Sequence, residues 1–119
     1  MDLISIIFQI TLAIGIFNVW FIRSSKATSY RGKNAGSLKE EFAAYGLSES
    51  VFYLVGVLKI SAAVALILGL WIPSLVMPGA ALMSLLMLGA FVMHIKVNDP
   101  AIRSLPALLM LFMSLFLLF

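Results

Sequence analysis

Four apolar runs, residues 3–22, 51–71, 74–95 and 100–119, hold one charged side chain away from their ends, Lys59. A helix rises 1.5 Å per residue, so about 20 residues cross a hydrocarbon core about 30 Å thick. The chain of 119 residues is 63% hydrophobic and only 11% charged. Soluble domains carry about a quarter charged residues, so this chain has too little polar surface to cover a soluble core. The expected architecture is all-α: an integral membrane four-helix bundle forming a single domain over residues 1–119. No second block of different composition divides it.

Local signals place the helix ends. Asp2 stands where an N-cap is needed, and Arg23 closes the first run. No basic segment precedes that run and no small-residue cleavage site follows it, so it reads as a retained helix. Ser48 or Ser50 can cap the second run, and Trp71 suits an interface. Pro73 ends that helix, and Pro78 fits the first turn of the next. Asp99 and Pro100 form an N-cap and N1 pair, which predicts a fourth helix from Pro100 to Phe119 with a kink at Pro106.

The one long polar segment is 23–50. Its first part, "RSSKATSYRGKNAG", reads as loop. Its second part, "SLKEEFAAYGL" (37–47), carries a capping box with Ser37 at N-cap and Glu40 at N3. Leu38, Phe42 and Tyr45 make one apolar stripe, and Gly46 can end the helix. We take this amphipathic segment by default as a connector resting on lipid headgroups; the sharper reading is a lid over the bundle mouth. Seven of the eight basic residues fall in the loops 23–50 and 96–103. The positive-inside rule then expects both loops in the cytoplasm and both termini outside, in the cell membrane.

Lys59 lies roughly 13 Å from the loop end of its helix. It is either an anchor that snorkels to the interface or part of an internal polar pocket. Gly56, Ala62 and Ala63 share its face, and Ser61, Ala65 and Gly69 form a second small stripe. Small residues mark faces where helices approach closely, so Lys59 is expected to point into the bundle. They also raise the expectation of a homo-oligomer or a membrane-protein partner. Asn18 comes at a similar depth. The spans hold no acidic residue, so a counter-charge must dip in from Glu40, Glu41, Glu49 or Asp99. His94 falls in the last turn of the third helix, where a polar plug is the default reading. The candidate ligand-binding residues are therefore Lys59, Asn18, His94, Glu41 and Phe42.

Several chemistries are excluded. The chain has no cysteine, which removes thiolate and iron–sulfur chemistry. One histidine cannot supply a haem ligand pair, and alone it makes no zinc site. The methionines lack the spacing of a copper path and read as packing. No phosphate loop, paired catalytic carboxylates or Ser–His–Asp set is visible, so nothing marks an enzyme acting by itself. The bases serve topology and the lipid bilayer, not nucleic acid.

The order of features resembles a known family. Phe42 and Gly46 in "EFAAYGL" precede "LVGVLKISAAVALILGLWIP", with Gly56, Lys59, Gly69 and Pro73. Then comes "GAALMSLLMLGAFVMHIKVNDP", with Ala80, Ala90, His94 and Asp99. Over nearly its whole length the chain resembles the DoxX-like family of small four-helix membrane proteins. First helices there often carry Gly-x-x-Lys, where this chain has Gly15 and Asn18. The resemblance implies two roles: a binding, scaffold or assembly subunit with a lipid-like ligand near Lys59, or a quinone-binding subunit of an oxidoreductase complex. In the second, Lys59, Asn18 and His94 would hydrogen-bond quinone carbonyls, and the electron donor must come from elsewhere.

Overall fold

The structure is a computed structural model that describes residues 2–22 and 36–119. Of the bases that carry the orientation argument, Arg23, Lys26, Arg31 and Lys33 lie outside the described residues, as does most of the first loop segment.

Helix α1 (Leu3–Phe17) starts where the sequence expects it, because the Asp2 carboxylate accepts the Ser5 amide at 2.7 Å. It runs on into a π-helical segment, Asn18–Ile22. Helix α2 (Leu38–Ala44) is capped by Ser37, whose hydroxyl accepts the Glu40 amide at 3.2 Å. The Glu40 carboxylate reaches back to the Gly36 amide, one residue further than a capping box requires. Helix α3 (Glu49–Leu68) is capped by Ser48. A 3₁₀ turn, Pro73–Leu75, leads into α4 (Val76–Lys96), and a second one, Ala101–Ser104, leads into α5 (Leu105–Leu118).

The fourth span departs from expectation. Pro106 occupies the first turn of α5, where its missing N–H costs nothing, so no mid-helix kink forms. Asp99 does not cap a helix here, since neither the 3₁₀ turn nor α5 has a side-chain cap.

Two chain reversals share one device. After α2, Gly46 adopts φ +80°, and the amides of Gly46 and Leu47 return to the carbonyls of Ala43 and Phe42. After α4, Asn98 adopts φ +56°, and the amides of Asn98 and Asp99 return to Ile95 and His94. Both are Schellman motifs, with glycine or asparagine in the left-handed position. The second folds Asp99 back against the end of α4.

The four long helices close a ring in which α1 and α4 each pack against both α3 and α5. Small residues let them approach. Ala62, Ala63 and Ala80 are buried with Leu12, Ala13, Ile16, Leu66 and Met83. The first small face of α3 is covered within the chain, and the second is covered at Ala65 and Gly69 while Ser61 stays exposed. Gly56 lies under Trp20, while Ala65 meets Gly79 and Gly69 meets Val76. Large apolar side chains point outward, including Ile4, Ile7, Ile14, Leu85 and Phe112. Small inside and large apolar outside suits lipid as the solvent. Among the described residues, four helices are long and apolar enough to cross a membrane.

Candidate functional site

At the loop end of the bundle, α2 lays its stripe inward instead of onto a headgroup surface. Leu38, Phe42 and Tyr45 are buried, and so is Glu41. The default expectation of a connector resting on lipid is thereby corrected. The stripe finds a better apolar partner in a cluster where Phe42 meets Trp20 and Phe52 edge-on, at ring distances of 6.0 and 5.2 Å. The Lys96 ammonium, which donates to the Tyr45 carbonyl at 3.2 Å, ties α2 to α4.

Beneath α2 lies a cavity of about 350 Å³. Asn18 and Trp20 from the π-helical segment line it, with Glu41, Lys59, His94 and Arg103. Its apolar walls include Gly15, Ile16, Met87, Ala107 and Met110. A second cavity of about 240 Å³ on the α3–α4 side shares Glu41, Lys59 and His94, and adds Phe42 and Tyr45. Lys59, Asn18, His94 and Glu41 are thus brought to one space, whereas Phe42 lines only the second. The cavity is within the range of small-ligand pockets.

A chain of charged and polar groups joins residues of the two cavity walls to Asp99, which lines neither. Asp99, its side chain only 2% exposed, accepts from Arg103 through Oδ1 at 2.8 Å and faces His94 Nδ1 through Oδ2 at 2.9 Å. The Tyr45 hydroxyl donates to Glu41 Oε1 at 2.6 Å and lies 3.4 Å from His94 Nε2. Glu41 Oε1 is 3.9 Å from that same nitrogen. The Lys59 ammonium sits 5.9 Å from the Trp20 ring centroid, within reach of a cation–π interaction. Lys59 therefore faces the interior, as the small residues beside it imply.

The four candidate counter-charges have separate fates. Glu41 enters the cavity wall and Asp99 engages His94 and Arg103. Glu49 pairs outside with Lys39 at 2.8 Å, and that contact raises the lysine's affinity for its proton. Glu40 turns back to Gly36.

Sequence reasoning missed three contributors. Trp20 was hidden in a generic apolar run, yet its ring edge fills the space over Gly56; a Cβ there would lie 2.6 Å from it. Tyr45 counted only as part of a stripe, although its hydroxyl joins the polar chain. Arg103 counted only as a topology base. Its i, i+4 spacing from Asp99 was the available signal. Gln9, entirely buried in α1, also escaped notice. Its amide donates to the Leu66 carbonyl at 2.9 Å at the far end of α3.

Comparison with known proteins is consistent with this architecture. No curated protein and no solved structure matches the chain. The model of the DoxX-like family matches residues 12–116, a stretch that contains the helix over the cavity and every residue of the cluster around it. The chain belongs to the DoxX-like family, as a multi-pass membrane protein.

Proposed function

We propose that the protein is a membrane-embedded binding subunit that holds an amphiphilic ligand, its polar head against Lys59, Asn18, Glu41 and His94. The observation that carries this reading is convergence. Side chains from all four spans and from α2 line one cavity whose remaining walls are apolar. Ionisable groups inside a membrane bundle are costly and face functional cavities by default. In the cell membrane, with both loops cytoplasmic, the head would lie near the inner leaflet. A membrane-protein partner, or a second copy of the chain, would then receive or deliver the ligand across the lipid-facing surface.

A second reading is favoured by the donors beside an aromatic ring. Asn18, Lys59 and His94 line the same space as Trp20, a combination suited to a quinone head. A redox partner would supply the electrons.

Both readings meet one experiment. Trp71→Phe leaves Trp20 as the only tryptophan of two. Titrating that variant in nanodiscs with a decyl-substituted benzoquinone, and separately with a monoacylglycerol, should give saturable quenching by at least one of them. Lys59→Met should weaken it about tenfold or more. Quenching that never saturates with either probe removes the binding reading. Quinone affinity unchanged in Lys59→Met removes the quinone reading.

A further inference from the structure

The polar chain at the cavity wall has a direction. A neutral imidazole carries one donor and one acceptor nitrogen. The Asp99 carboxylate at 2.9 Å from Nδ1 requires the hydrogen on that nitrogen, so geometry assigns the lone pair to Nε2. The nearest hydroxyl, Tyr45, gives its one hydrogen to Glu41 at 2.6 Å instead. In the neutral ring Nε2 is thus the proton acceptor, on a residue that lines the cavity.

We propose that the Asp99–His94 pair is an acid–base site serving the cavity, and that it takes the proton of an acidic hydroxyl, a phenol or an enol, on the head of an amphiphile. This rests on the ligand-binding reading above. In the step, the ligand's O–H bond breaks and a bond forms between that hydrogen and His94 Nε2. The electron pair stays on the ligand oxygen. No oxidant or reductant is needed.

The surrounding charges match both products. The imidazolium lies between two carboxylates, Asp99 at 2.9 Å and Glu41 at 3.9 Å. The oxyanion faces Lys59 and Arg103, which line the same cavity. Lys96, on the same helix as His94, is directed to the Tyr45 carbonyl. Charges held in place before the step need no reorganisation during it, and they act strongly where water is scarce. His94 and Lys59 would touch the substrate, while Asp99 positions the ring.

The test uses the full-length protein in nanodiscs and a decyl-substituted nitrophenol, whose phenolate absorbs in the visible. At a pH where the free probe is protonated, binding is read by Trp20 quenching and ionisation by phenolate absorption. The expected result is a bound probe at least ten times more ionised than the free one. Whatever probe His94→Gln still binds should stay protonated, and Lys59→Met should reduce the ionised fraction. The chain has one histidine, so ring-nitrogen NMR of the unmutated protein gives a readout that needs no variant. Nε2 should gain a proton when the probe binds. Saturable binding without ionisation, ionisation undiminished in His94→Gln, or an unchanged Nε2 signal overturns the acid–base site and leaves the binding reading standing. No saturable binding of the nitrophenol, the benzoquinone or the monoacylglycerol overturns both.

Discussion

The interior of this bundle is dry at one end and ionic at the other. Toward the short turn, Leu12, Ala13, Ala62, Ala63, Leu66, Ala80 and Met83 fill the space between helices, each no more than 1% exposed. A polar group buried among them, Gln9, donates to the Leu66 carbonyl near the end of α3. Toward the loops, Glu41, Lys59, His94 and Arg103 surround open volume, and Asp99 pairs with His94 and Arg103 from outside that lining. The dry end is built for close packing, and the ionic end keeps room that packing could have filled. A bundle needing only to stand in a membrane could be apolar throughout, since replacing buried ion pairs by apolar side chains is often neutral or stabilising.

The comparison can be broken most forcefully at Asp99. Asp99→Ala removes a buried carboxylate that pairs with both Arg103 and His94, and breaking such a pair costs about 3 kcal/mol. Thermal unfolding followed by helical circular dichroism should drop accordingly. An unchanged midpoint would mean that the ionic end is wet enough to dispense with pairing. At the dry end, Ala80→Leu inserts bulk where helices touch and should cost about 2 kcal/mol, with no cavity group altered. A larger effect on ligand affinity than on stability would show that the two ends are not separable.

Smaller changes sharpen the boundary. Gly56→Ala places a methyl 2.6 Å from the Trp20 ring, so the ring must shift at a cost of about 1 kcal/mol. In the Trp71→Phe background the Trp20 emission should move, while the dry core stays protected from amide exchange. Gln9→Leu loses one hydrogen bond but also removes Oε1, which has no hydrogen-bond partner among the described residues. The two effects oppose, so its stability should stay within about 1 kcal/mol of the parent. The smallest effect belongs to Asp2, whose carboxyl is held below the usual range by accepting the Ser5 amide. A depressed folded value means the cap is fully present above the ordinary carboxylate range and is lost as pH falls through the lowered value. Exchange at the Ser5 amide should accelerate over that acidic window, and Asp2→Ala should abolish the pH dependence.

The two ends also differed in how legible they were. Spans, caps at Asp2, Ser37 and Ser48, and the stop at Gly46 follow from local rules, because each depends on neighbours within one helical turn. The interior position of Lys59 followed from the small residues beside it. The role of Asp99 could not be read locally. An Asp–Pro pair signals a helix start, but the left-handed Asn98 returns that carboxylate to His94, and a buried charge partner outcompetes a cap. The inward packing of α2 could be offered only as the alternative to a lipid-resting connector, since an apolar stripe reads the same whether it meets lipid or Trp20 and Phe52. The π-helical segment Asn18–Ile22, which presents Asn18 and Trp20 to the cavity, has no sequence signature in an apolar run.

If the ionic end is a binding site and not a structural plug, its ligand should survive gentle extraction. Native mass spectrometry of the protein released from membranes, beside Lys59→Met of equal helical content, tests it most directly. A binding site keeps one amphiphile per chain in the parent protein and loses it in the variant. Parent protein that emerges bare, or a variant that keeps the same ligand at the same occupancy, would contradict it.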